Sequence, residues 1–529
     1  MSGPVITDET CMVFRDRLVA GALRPRTIHR FVVGEDDRVQ VLNREEAAAQ
    51  LADPFATLLL LQGTFPSTAG DVLAGLDAAT KPKDPLRKRS FFFLGEGSQV
   101  PVNAQTRGVD RNLRFLVTTG SGPLGPDLMI STFHPDSPDV ELMAWDRKRG
   151  GFNYYRTAEG SDGWIFAGNS IHAVRRGTEL KGPFETHTSG NFLMKELKAP
   201  WINWHSPDAT IPASVLPKRD RDHPWFRNKE PGGALTCETE VARPSITRWT
   251  KRRFERVTDA AGVIDRPRRL MRQVVDSPTV NLVSSFAEGS GVGPGAAVDL
   301  PGTFFVDADV LGGVLGLRQP PFFSVKGGMY AKTLERFDVR WTDGGGFSRR
   351  GDTHFAFCVP ERAFEDNEVV RHAIRIGLLG RRLAASLLMV DFGNPVFSPR
   401  RAALLAHVPP RATLKDGKSA FSRRFADAIL KAAEATPEGS PEREFAKRWS
   451  AGAAWRKTFN QALGVYYKGV EATLSTQAGV DAVFRVAEAR RDDVRRRTPL
   501  VESPLLFART NITGKASARM RTDGTVETA

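Results

Sequence analysis

Hydrophobic positions in the first eighty residues switch between helical spacing, as in Asn43 to Leu51 and Ser67 to Leu76, and short apolar pieces of strand character. From Leu86 to Val174 the pattern changes. Runs rich in apolar and aromatic residues recur at Ser90–Leu94, Leu113–Thr118, Leu128–Phe133, Val140–Trp145, Gly151–Arg156 and Trp164–Ala167. Clusters of Gly, Pro, Asp and Asn separate them, which predicts an antiparallel sheet built as a sandwich or partial barrel.

Residues 175–245 lack periodicity and carry eight prolines, from Pro183 to Pro244. A long irregular stretch inside a compact chain tends to be functional or disordered. Phe184, Phe192, Trp201, Trp204, Trp225 and Phe226 argue against disorder, because such side chains need burial. Beyond Pro244 helical spacing dominates: Ser245–Val257, Pro267–Phe286, Phe364–Val390, Ser419–Ala435, Pro441–Leu474 and Gln477–Arg497. Ser440 before Pro441 is an N-cap followed by a first-turn proline.

The expected fold is therefore α+β, with a β-rich N-terminal half and a mainly helical C-terminal half. The expected segments are 1–85, mixed; 86–180, antiparallel β; 181–245, irregular and rich in Pro, Trp and His; 246–510, mainly helical; and 511–529, a flexible tail.

Composition narrows the class. Hydrophobic residues make up 41% and charged residues 26%, near globular averages, so a packed core is expected rather than a disordered chain. Cys11, Cys237 and Cys358 lie far apart, with neither a disulfide framework nor a zinc-knuckle spacing. No signal-peptide core or membrane-length apolar run occurs, which points to a cytoplasmic protein without a membrane partner, from a bacterial source. The formal charge of +14 raises the question of nucleic acid. Its basic clusters, such as Lys251-Arg252-Arg253 and Arg495–Arg497, are dispersed, and no zinc finger or RNP-like motif accompanies them. Nucleic acid thus ranks behind a small-molecule ligand as the partner. Oligomeric state is not legible.

Chemistry-bearing residues concentrate between 145 and 225. Four of nine histidines (His172, His187, His205, His223) and five of nine tryptophans (Trp145, Trp164, Trp201, Trp204, Trp225) lie there. Imidazole ligates metals and moves protons near neutral pH, and indole supplies an apolar wall with one polar edge. Three arrangements follow. In a mononuclear metal site, His187 and His205 with Glu185 or Glu196 match the two-His-one-carboxylate set of non-haem iron enzymes. In a haem site, His187 is an axial ligand. Covalent attachment through a C-x-x-C-H box is excluded, because Pro183 and Thr186 occupy the cysteine positions. In a metal-free site, His187 or His205 acts as general base, Glu196 assists, and Lys195 or Asn203 orients the substrate. In each case Trp201, Trp204 and Tyr154 line the pocket.

The bland alternative is that the tryptophans anchor an irregular segment while the polar side chains satisfy its buried peptide groups. His134-Pro135-Asp136, between two strand-like runs, reads as a turn. Glu361, Glu365 and Asp366 read as acids at the start of a helix, complementing its dipole. No dinucleotide fingerprint, P-loop or nucleophile elbow is complete. The functional expectation is an enzyme acting on a small organic molecule, an oxidoreductase where iron or haem is held by histidine. Behind it stand a non-enzymatic protein that binds nucleic acid or another acidic partner through its basic surface, and a structural or assembly protein.

Overall fold

The structure is a computed structural model that describes residues 23–94, 114–120, 124–157, 162–185, 187–191, 218–227, 234–276, 280–283, 293–300, 302–342, 348–350, 359–497, 510–512 and 518–528. The chain is α+β. It forms two compact units, the first ending at Arg252 and the second beginning at Arg253.

The first unit is built on one eight-stranded sheet. Its strands are β1 (Ile28–Arg30), β2 (Gln40–Leu42), β3 (Arg89–Leu94), β4 (Arg114–Thr119), β5 (Leu128–Thr132), β6 (Val140–Asp146), β7 (Gly151–Thr157) and β8 (Trp164–Asn169). They lie in the order β2-β1-β8-β7-β6-β5-β4-β3. From β3 to β8 the sheet is an antiparallel meander, so the six apolar runs are consecutive neighbours. β1 joins the β8 edge in parallel, pairing Ile28 with Trp164.

Helices cover the sheet. The burial pattern explains why the strand sequences look continuously apolar: β5 and β8 are buried at every position, and strands covered on both faces lose the polar alternation. Leu142, Ala144, Tyr155, Trp164 and Phe166 face a core shared with Phe55, Val72, Leu73 and Leu76. These last come from α2 (Pro54–Leu58) and α3 (Ala69–Ala79), and α1 (Arg44–Gln50) adds Ala47 to the same core. Each helix starts on a readable cap: Asn43 with Glu46, Asp53 before Pro54, and Thr68 with Asp71. Alternation along the strands sends Met143, Trp145, Phe152, Tyr154 and Ile165 to the opposite face. There lie α4 (Ser170–Ala173), the turns of residues 182–191, and Trp249 of α7 (Arg243–Val257). Two short helices, α5 (Lys218–Arg221) and α6 (Pro224–Arg227), precede α7.

The second unit is mainly helical. Its longer helices are α8 (Arg268–Val275), α9 (Gly327–Arg336), α10 (Phe364–Arg375), α11 (Arg381–Leu388), α12 (Phe421–Ala435), α13 (Pro441–Trp449), α14 (Trp455–Leu474) and α15 (Gln477–Arg497). A hairpin of β9 (Ala297–Leu300) and β10 (Phe323–Lys326) packs beside them. Ser440 caps α13 as the sequence predicts, and Glu365 and Asp366 occupy the first turn of α10, whereas Glu361 lies in the strand Val359–Arg362 that precedes it. Buried arginines tie irregular backbone together. Arg401 donates to the carbonyls of Val275, Val390, Asn394 and Pro395, satisfying groups that no helix or sheet pairs. Where the sequence predicts a flexible tail, residues 518–528 fold back as a hairpin of β11 (Arg519–Met520) and β12 (Val526–Glu527). Met520 is buried, and Arg519 pairs with Asp391 at 2.6 Å. Two buried side chains, Ala518 and Met520, give too little pattern for sequence to register.

Candidate functional site

Of the residues singled out above, His205, Glu196, Lys195, Asn203, Trp201 and Trp204 lie outside the described residues. Glu185 closes the 3-10 turn Gly182–Glu185, and its side chain lies outside them too. Tyr154 and His187 are described, and the structure brings them together with ring centroids 5.3 Å apart.

Their geometry is set by the carbonyls of three consecutive residues. Trp249 Nε1 donates to Ser189 O at 2.7 Å, and Ser170 Oγ donates to Gly190 O at 2.6 Å. Tyr154 Oη donates to Asn191 O at 3.2 Å, and His187 Nδ1 lies 3.0 Å from the same oxygen. A carbonyl only accepts, so His187 carries a proton on Nδ1. Gly190 has φ +75°, and a Cβ there would fall 2.7 Å from Ser170 O. Only glycine fits this turn. The arrangement is first a solution to burial: irregular backbone laid on a sheet needs donors for its carbonyls. Among the described residues two groups of this turn are left over without a hydrogen-bond partner: Thr188 Oγ1, and the amide of Asn191, a residue 1% exposed, at both Oδ1 and Nδ2.

The other described histidines of the segment stand elsewhere. His172 occupies the third position of α4, where its Nδ1 accepts the Asn169 N–H at 3.0 Å while Asn169 Oδ1 accepts from Ile171 N. Burial, reinforced by Arg30 and Arg149, lowers its pKa to about 4. His223 meets His134 with ring centroids 6.4 Å apart. Both belong to His-Pro dipeptides, and both accept the N–H two residues on, from Asp136 and Trp225, through Nδ1. The Nε2–H of each then faces a carboxylate contributed by the other segment. His134 lies 2.8 Å from Asp220, and His223 lies 3.4 Å from Asp136. The turn expected at His134-Pro135-Asp136 is therefore half of a reciprocal clasp. The repeated His-Pro with a nearby Asp was its sequence signal. Among the described residues no group of three or more His, Cys, Asp and Glu side chains is arranged to hold a metal ion.

Sequence reasoning missed a cationic groove in the second unit. A cavity of 610 Å³ is lined by Arg318, Lys457, Asn460, Gln461, Gly464, Val465 and Lys468. Apart from Arg318, all stand on α14. Arg318 is held there by its main chain: its N–H donates to Asn460 Oδ1 at 2.7 Å, and its carbonyl accepts from Tyr467 Oη at 2.9 Å. Gly464 makes room for the guanidinium, since a Cβ would sit 3.0 Å from Nη1. Among the described residues, Arg318, Lys457 and Lys468 have no carboxylate partner. Spacing along α14 mixes these lysines with neutral residues, so sequence alone reads a solvated helix face; Arg318 arrives from a distant loop.

Comparison with known proteins finds no matching family model, no matching curated protein and no matching solved structure.

Proposed function

We propose that this chain works by binding an acidic partner through the groove on α14. One observation carries the reading: three cations without carboxylate partners among the described residues converge on one concave surface with two amides, Asn460 and Gln461, between them. Cations left unpaired around a concavity focus a positive potential and raise the local concentration of anions. The net charge of +14 adds long-range attraction of the same sign. The test is retention on heparin resin. A K457E/K468E variant is expected to elute at clearly lower salt than wild type, while a K415E/K431E control with the same change in net charge elutes close to it. Equal shifts for the two variants would mean that overall charge, not the groove, governs binding.

A second reading is favoured by the Asn191 amide, which has no partner among the described residues and belongs to the residue whose carbonyl holds His187. In it the first unit is an enzyme for a small organic molecule. His187 Nε2 is the base or ligand atom, Tyr154 is a wall, and Glu185, Glu196, His205, Lys195, Asn203, Trp201 and Trp204 complete the site. Fixing Nδ1–H on a carbonyl is how proteins present Nε2 to a metal or a proton donor. Iron or haem is the cofactor of its oxidoreductase version. Purified protein then carries stoichiometric metal or a visible absorption band that H187Q removes. Colourless, metal-free, fully folded protein discards the cofactor version.

A further inference from the structure

We infer that the acidic partner is single-stranded nucleic acid, with phosphates held by Arg318, Lys457 and Lys468 and a base stacked on Phe322. The inference rests on the acidic-partner reading of the groove and adds the ligand class. Phe322 is 93% exposed, the most exposed large hydrophobic side chain among the described residues. It ends the loop that Arg318 begins, so the two Cα atoms are at most about 14 Å apart. That loop is anchored. Arg318 is held at both main-chain groups, Gln319 packs on Gly312, and Pro320 packs on Gly302. The next residue, Phe323, is buried with its ring 4.6 Å from Phe305 and 6.0 Å from Tyr467. Strand alternation then turns Phe322 outward, in the series continued by exposed Ser324 and Lys326. The backbone accounts for the direction of the side chain, not for its being an aromatic.

An aromatic face in water, within one short loop of a groove of unpaired cations, is the combination that single strands use. Every base offers a π-face, and the backbone supplies a phosphate at each step. A duplex uses its phosphates equally well but keeps its bases stacked inside, so it has nothing to place on Phe322. Lys457 and Lys468 are separated by about 16 Å along the helix axis, room for a short run of phosphates. Val465, 63% exposed between them, gives the groove floor an apolar strip on which a sugar or base edge can lie.

The experiment measures binding of the full chain to a labelled oligothymidylate of about twelve nucleotides, within the site sizes of single-strand binders. A duplex of the same length, heparin, and phosphatidylserine vesicles run alongside. The single strand should bind more tightly than the duplex. Its log K should fall against log salt with a slope of about −2 for three phosphates. F322A should weaken the single strand roughly ten-fold, leaving the salt slope and the heparin affinity unchanged. K457A/K468A should reduce that slope by about 1.4. The exposure of Phe322 keeps F322A folded, which a thermal melt checks. Unchanged single-strand affinity in F322A, or equal affinity for the duplex, overturns the nucleic-acid inference while heparin binding that depends on the lysines preserves the acidic-partner reading. Phe322-dependent capture by the vesicles without oligonucleotide binding assigns the surface to anionic lipid and overturns the inference as well. If the lysine variant alters neither oligonucleotide nor heparin binding, both readings fall.

Discussion

Asp53 shows how one buried residue can join several elements. It caps α2, accepting Ala56 N–H at 3.0 Å, while its other oxygen accepts from Tyr155 Oη at 2.5 Å and Asn153 Nδ2 at 2.7 Å. The same Asn153 amide reaches Asp146 Oδ2 at 3.3 Å, and Asp146 also takes the N–H groups of Ala52 and Arg149. Two carboxyls thus sit in one interior and share a donor. Burial, with Asp146 adding to it, raises the pKa of Asp53 against the pull of its three donors. Burial also lifts that of the Tyr155 phenol, so it donates. Removing that donor leaves a buried charge short of one bond, and hydrogen bonds to charged groups contribute roughly 1.5–3 kcal/mol. Y155F should therefore destabilise by about 2 kcal/mol. In a D53N background, where the cap survives and the charge does not, the same change should cost about half as much. Urea melts of the four proteins in this cycle measure the difference; equal losses in both backgrounds would show that the phenol only fills space.

At the scale of elements, legibility followed local physics. All six apolar runs became strands of one meander, because a strand buried on both faces announces itself by composition even without alternation. Helix starts were readable wherever a cap lay beside an apolar face, as at Ser440-Pro441. The parallel pairing of β1 with β8 was not, since a three-residue strand has no periodicity and its partner lies far along the chain. In the irregular segment His187 and Tyr154 do meet, but they meet on a main-chain carbonyl. Among the described residues His187 and Tyr154 serve a peptide carbonyl that has no sheet partner, as such side chains do where irregular backbone is buried. The same side chains serve a binding site, so composition could not separate the two. The neighbours show only what each imidazole touches: His172 a helix cap, His187 a main-chain carbonyl and His223 a clasp. The groove stayed hidden for the opposite reason. Arg318 and Lys457 are remote in sequence, and nothing local marks the loop that joins them.

For the whole molecule, these choices fix how stability responds to acid. His172 folds neutral, with its pKa lowered to about 4 from 6.5, and His29, buried in β1, is shifted in the same direction by burial and Arg24. An unfolded chain binds these protons at higher pH than the folded one, so both shifts cost stability as pH drops from about 6.5, and the loss from His172 levels off below about 4. Asp53 works with the opposite sign: its raised pKa lets the folded state take up a proton first, which favours folding as pH falls toward the carboxylate range. Near pH 5 the shift of His172 alone weakens the first unit by roughly 2 kcal/mol. H172Q isolates this contribution, because glutamine at the third helical position can still accept the Asn169 N–H in the cap that His172 now completes. Hydrogen exchange of peptides covering 164–174 should show the two proteins equally protected at pH 8. At pH 5, after correction for intrinsic exchange, the variant should be the better protected. Parallel losses of protection between pH 8 and pH 5 would show that the imidazole takes up its proton without opening the cap, and the acid sensitivity would then have to come from another group.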